Sequence, residues 1–201
     1  MTILLLTILS LAASQLPPPN LVENGDARAG EAHWAKSRSH KPLPAEDAKD
    51  ASIEVCDGSP CFVLRNSAGW NQLIRLREDA SGKYVLIVAR GSSERIPENG
   101  SITGRPYLWA RLIGVEPFQK GVLQGMALQP KASHAWGTMS GIFRVPPGVE
   151  GIHLMVAQAL GAGTPQNGSA ARVKDIEVRL FETYDAAVTY LRLYDSQYEP
   201  R

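Results

Sequence analysis

In the segment Tyr107–Ile113, Tyr107, Trp109 and Arg111 alternate with Leu108, Ala110 and Leu112. In a β-strand successive side chains point to opposite faces, so the first trio shares one face and the second trio the other. The aliphatic trio reads as core. The other is aromatic, aromatic and cationic, an odd composition for a plain solvent face. In Gly151–Ala157, His153 likewise opposes Ile152 and Leu154. Flat rings that stack on apolar C–H surfaces, beside planar polar groups that hydrogen-bond a rim of hydroxyls, suit a sugar ring. Tyr107, Trp109, Arg111 and His153 are therefore the candidate ligand-binding residues. The competing reading has Trp109 packing beneath the polar loop Gly91–Gly104 or against the C-terminal tail.

Other chemistries find weaker support. Glycosidases need two carboxylates about 5–9.5 Å apart. Glu54, Glu94, Glu98, Glu116, Asp175 and Glu177 are available, but none sits in a recognisable catalytic setting. Gly-x-Ser-x-Gly is absent, and Gly161-Ala162-Gly163 lacks the strand-to-helix flanks of a phosphate loop. No zinc-type spacing of histidines or cysteines occurs. The expectation is a protein without catalytic residues. Cys56 and Cys61 flank Asp57-Gly58-Ser59-Pro60, a hairpin-like turn whose shoulders come within disulfide reach. A structural disulfide is the expected pairing.

These residues must be held by strands. Between residues 50 and 181 the dominant period is two, punctuated by Gly, Pro and Asn clusters. Strands are expected at Ser52–Cys56, Cys61–Asn66, Asn71–Arg77, Lys83–Arg90, Tyr107–Ile113, Val122–Leu128, Gly137–Val145, Gly151–Ala157 and Arg172–Phe181. Asp57-Gly58 and Ser81-Gly82 fall where hairpins need a positive φ. So many short strands without intervening helices predict an all-β, antiparallel two-sheet sandwich. Trp34, Trp70 and Trp136 are core candidates, and Gln72 is read as a partner for buried backbone. After Phe181 the spacing turns helical, predicting a C-terminal helix over 184–195.

Composition narrows the function classes. The 201 residues carry 21 Lys+Arg and 20 Asp+Glu, for a net charge of +1. That balance argues against a protein that coats nucleic acid or an anionic membrane. Residues Ile3–Ala13 form an apolar run broken by Thr7 and Ser10. It is shorter than the roughly 20 residues a membrane span needs, and reads as the centre of a secretory signal over residues 1–14. Residues 15–19 are then a stiff proline-rich spacer. Export to a secreted or periplasmic, extracytoplasmic location follows, where oxidation of the cysteines is expected.

Three stretches taken in order resemble the galactose-binding-like jelly-roll superfamily. They are Asn20–Gly30 followed by Trp34, then Gly69–Ile74 with Gly82–Leu86, and finally Trp136, Phe143–Pro146 and Val173–Val178. The resemblance covers residues 20–181 and leaves 182–201 as the helix and tail. It implies a jelly-roll β-sandwich and a mostly non-catalytic role, commonly that of a carbohydrate-binding module, with a polysaccharide or glycan as partner. A protein-interaction or envelope-structural role on the same fold is the alternative, and an unrecognised glycan-active enzyme the third. No cofactor is required. Relatives often hold a structural calcium between the first turn and the last strand, which implies Asp26 and Asp175 as ligands here, completed by carbonyls near Asn24. Arg28 stands where relatives commonly carry an acidic residue, so an Arg28–Asp175 salt bridge is the competing expectation.

Overall fold

The computed structural model describes residues 16–38, 41–76, 79–95, 104–114, 123–127, 133–159 and 169–198, the strand at 123–127 by its backbone. The expected signal at 1–14, the glycine run at 161–163 and the strand ends Arg77, Val122 and Leu128 lie outside the described residues. The described residues form eleven strands: β1 (Ala35–Arg38), β2 (Lys41–Pro42), β3 (Ala51–Cys56), β4 (Ser59–Leu64), β5 (Ala68–Arg75), β6 (Tyr84–Ser93), β7 (Pro106–Ile113), β8 (Leu123–Ala127), β9 (Gly137–Arg144), β10 (Gly151–Gln158) and β11 (Ala171–Phe181). A helix α1 (Tyr184–Ser196) follows. The strands form a six-stranded sheet, β2-β1-β5-β10-β7-β8, and a five-stranded sheet, β3-β4-β11-β6-β9, all paired antiparallel. The molecule is an antiparallel jelly-roll β-sandwich with one C-terminal helix.

Alternation decides which side chains meet between the sheets. Trp70 and Ile74 of β5, Leu108, Ala110 and Leu112 of β7, and Ile152, Leu154 and Val156 of β10 point inward. They meet Phe62 and Leu64 of β4, Val85 and Ile87 of β6, and Val173 and Val178 of β11. Each large apolar side chain so buried contributes about 1.5–3 kcal/mol. Phe62 stands between Trp34 and Trp70, with ring centroids 4.8 and 5.8 Å away. Trp34 and Trp70 are core residues as expected. Trp136 differs: it is half-buried beside the cysteine pair, with Lys174 Nζ 4.4 Å from its ring centre.

The β3–β4 hairpin shows how local chemistry sets boundaries. Asp57 and Gly58 both have positive φ, 49° and 81°, the demand of a two-residue turn that continues strand twist. β4 therefore starts at Ser59, two residues before the expected Cys61. Pro60 is tolerated because β11 reaches β4 only at Phe62, Val63 and Leu64, so its missing N–H deprives no ladder there. The short β1 and β2 carry no alternating apolar signal and were not foreseeable from the period.

The entry segment runs beside the later half of β11. Leu21 N donates to Val178 O (2.8 Å), Val178 N to Asn20 Oδ1 (2.9 Å) and Ile176 N to Gly25 O (3.0 Å). A Cβ at Gly25 would overlap the Ile176 carbonyl oxygen, so only glycine allows this approach. Gln72, buried on β5, locks the same segment: its Nε2 donates to Glu23 O (2.9 Å) and His33 O (3.1 Å), and its Oε1 accepts from Glu23 N (3.0 Å).

Helix α1 lies across the outer face of the five-stranded sheet. Thr183 caps it, its hydroxyl accepting from Ala186 N at 3.2 Å. Ala187, Tyr190, Leu191, Tyr194 and Tyr198 follow helical spacing and pack on Leu86, Val88 and Phe181. Leu193, of the same apolar tail, stays 58% exposed.

Candidate functional site

Among the described residues no helix lies on the outer face of the six-stranded sheet. Strand order places β10 between β5 and β7, and register pairs His153 with Arg111 on one side and Leu73 on the other. One row along, Met155 lies between Trp109 and Asn71, and Ala157 faces Tyr107. Tyr107, Trp109, Arg111 and His153 thus share one face, on two adjacent strands. Trp109 and His153 meet edge to face, with centroids 5.8 Å apart and planes at 86°. Such pairs contribute about 0.5–1.5 kcal/mol beyond area burial and hold both rings in place. Tyr107, Trp109 and His153 are half-buried, and Arg111 is exposed.

The C-terminal helix packs on the opposite sheet, so Trp109 does not lie under it. Residues 96–103 of the loop Gly91–Gly104, the other cover considered for Trp109, lie outside the described residues. The face also holds residues that the one-strand reading missed: Asn71, Leu73 and Arg75 of β5, and Met155 of β10. Asn71 Nδ2 donates to Ala35 O (3.0 Å), and Leu73 is 54% exposed. Their outward direction was readable from Trp70 and Ile74 pointing in. Their adjacency to Trp109 was not, because it depends on β10 coming between strands distant in sequence.

Of the carboxylates weighed for catalysis, Glu54, Glu94 and Glu177 stand elsewhere and are engaged. Glu54 meets Arg65 at 2.8 Å, and the guanidinium donor beside it holds its carboxyl below the ordinary range. Glu94 pairs with Arg172 at 2.6 Å and accepts from Ala170 N at 2.9 Å. Glu177 meets Arg179 and Tyr190, each at 2.7 Å. Glu98 and Glu116 lie outside the described residues. Cys56 and Cys61 form a disulfide with Cα atoms 5.8 Å apart, both side chains buried. Since Cys56 pairs in register with Ser59, the bridge runs diagonally across the hairpin.

Asp26 and Asp175 both line a second feature, a hollow of about 330 Å³ lined also by Asn20, Asn24, Glu177 and Tyr198. Asp175 sits in a β-bulge between Lys174 and Glu177, at φ 53°. The residues present do not fit calcium, which takes six to eight oxygens. Asn24 O already accepts from Ala27 N (3.1 Å) and Trp34 Nε1 (3.2 Å). The Asn24 side chain is spent on Gly30 O, Ala32 O and Ala29 N. Gly25 O accepts from Ile176 N, and Ile176 O accepts from Asn20 Nδ2 (3.2 Å). Among the described residues no cluster of three or more His, Cys, Asp and Glu could hold a metal ion. The expected Arg28–Asp175 bridge is also replaced: Arg28 pairs with Asp26 at 3.4 Å, its neighbour in the same exposed turn. The turn brings these two together locally, whereas Tyr194 of the helix donates to Asp175 O at 2.7 Å and Tyr198, just past the helix, lines the hollow beside it.

No protein-family model matches the chain, and no curated protein matches it. Solved structures do. The TmCBM61 module, solved with β-1,4-galactotriose, aligns over 80% of this chain and 97% of its own at 13% identity, with a TM-score of 0.51. The two share a jelly-roll fold. The enzymatically active domain of bacteriophage CBA120 tailspike protein 4 aligns over 81% of this chain at 15% identity, with a TM-score of 0.56. This chain spans only 21% of that tailspike chain. At such identities the likeness is one of module architecture, and the site must be argued from its own residues. Among the described residues no helix is long and apolar enough to cross a membrane.

Proposed function

We propose that this jelly roll binds carbohydrate without transforming it, on the outer face of the six-stranded sheet. The observation that carries the reading is the Trp109–His153 ring pair on that face, flanked by Tyr107 and Arg111. Half-buried rings fixed by neighbours lose little entropy when a sugar stacks on them. The module architecture shared with a protein solved with a galactotriose supports it. A non-catalytic role is supported by the engagement of Glu54, Glu94 and Glu177 in ion pairs on the other sheet. The disulfide supports an exported protein, because such bonds persist in oxidising compartments.

A glycan-array screen of the chain from Gln15 onward, followed by titration of the hits, tests this. Saturable binding is expected, weakened at least about tenfold in Trp109→Ala, a loss of about 1.4 kcal/mol. Silence across a broad array, or binding indifferent to Trp109, overturns the reading in favour of a protein partner.

A further inference from the structure

On the five-stranded sheet, β11 carries two arginines that each meet a carboxylate, Arg172 with Glu94 at 2.6 Å and Arg179 with Glu177 at 2.7 Å, and Arg65, just past β4, meets Glu54 at 2.8 Å. On the outer face of β5, β10 and β7, Arg75 and Arg111 are both exposed, and no carboxylate among the described residues pairs with either. Register sets Arg111 directly beside His153 and Arg75 diagonally beside it, on the other neighbouring strand. The outward positions between them hold only neutral or aromatic side chains and the imidazole: Asn71, Leu73, Trp109, His153 and Met155.

Resting on the carbohydrate reading above, we propose that the ligand is an acidic polysaccharide whose uronic acid carboxylates meet Arg111 and Arg75. Along β7 the outward residues Trp109 and Arg111 are two positions apart, about 6.7 Å. A pyranose stacked on the indole therefore brings its exocyclic carboxylate within the sweep of the Arg111 side chain. The guanidinium fork is planar and offers paired N–H donors that match a carboxylate edge to edge. A neutral hydroxymethyl group in that place engages one donor at most and leaves the charge unanswered. Arg75, two strand spacings across the sheet and two residues along it, or about 12 Å from Arg111, supplies a second anchor for a neighbouring sugar of the same chain.

The test is affinity electrophoresis and calorimetry on uronic acid polysaccharides of several linkages, each beside its carboxyl-reduced counterpart, with sulfated neutral polymers as a third arm. Binding to a carboxylated member at least about tenfold tighter than to its reduced form is expected, falling as salt rises. Arg111→Gln should erase most of that preference, bringing the affinity for the carboxylated polymer down towards that for its reduced form. Arg111→Lys should retain part of it, because the charge stays and the fork is lost. Equal affinity for both forms, or preference for the sulfated polymers, overturns the acidic-glycan inference and leaves sugar binding intact. No binding in any arm overturns both. Both arginines are exposed, and circular dichroism confirms the fold of each variant.

Discussion

The two outer faces of this sandwich have opposite fates. On the five-stranded sheet Leu86, Val88 and Phe181 are sealed by Ala187, Tyr190, Leu191 and Tyr194 of the C-terminal helix. On the six-stranded sheet Trp109, His153, Asn71 and Arg111 occupy the corresponding outward positions, with no helix of the described residues over them. Apolar surface drives the first arrangement, since aliphatic residues gain about 25 cal/mol per Å² on leaving water. The second would gain little from a cover, because burying Arg111 without a partner costs more than its stem returns. One face is packed for stability, and the other is the face on which a ligand is proposed.

The contrast predicts a separation of phenotypes. The largest effect belongs to the sealed face: Tyr194→Ala removes a ring that is 1% exposed and its bond to Asp175 O. A loss of about 3–5 kcal/mol in denaturant unfolding is expected, with glycan affinity unchanged in the folded fraction. On the open face Trp109→Ala should cost only about 1–2 kcal/mol of stability while weakening binding at least about tenfold. If both variants lose stability alike and neither changes affinity, the division between the faces is wrong.

A pH titration sharpens the same division. Burial, and then the bond to Glu177, push the Tyr190 hydroxyl up to about 12. Burial and Asp175 likewise push Tyr198 up to about 12. Both folded values lie above the unfolded value near 10, so the folded state holds these protons longer. Their contribution is fully present below about pH 10 and is lost as pH rises through about 12. Unfolding midpoints should therefore fall across that window, and less steeply in Tyr190→Phe. An unchanged slope in that variant would show that the helix clasp does not titrate.

How much of this was legible in the sequence depends on the range of the contacts. Period two located β7, β9, β10 and β11 to within a residue or two, because each has one face in the core. The helix was readable from the spacing of Ala187, Leu191 and Tyr194. The sheet to which that helix would dock was not, since Leu86 and Val88 look like any other buried strand residues until strand order is known. The candidate face was half legible: Tyr107, Trp109 and Arg111 share one strand, but Asn71 and Arg75 join them only through β10. Trp136 misled because an aromatic before a strand reads as an end plug, whereas here it covers the disulfide hairpin, next to Lys174.

The smallest expected effect concerns the entry turn. Asn24, at φ 53°, satisfies Gly30 O, Ala32 O and Ala29 N with one side chain, and its own carbonyl takes Trp34 Nε1. Asparagine tolerates that left-handed backbone better than alanine does. Asn24→Ala should therefore lower stability by about 1–2 kcal/mol. By the same argument, chelator or added calcium should move the unfolding temperature by no more than about 1 °C, and Asp26→Asn by as little. An ion held at a hundred times its dissociation constant would contribute about 2.7 kcal/mol, or roughly 5–10 °C in a chain of this size. A calcium-dependent shift of that magnitude, abolished by Asp26→Asn or Asp175→Asn, would show that the turn opens its carbonyls to a cation. An unchanged melting curve would leave the Asn24 side chain as the device that closes it.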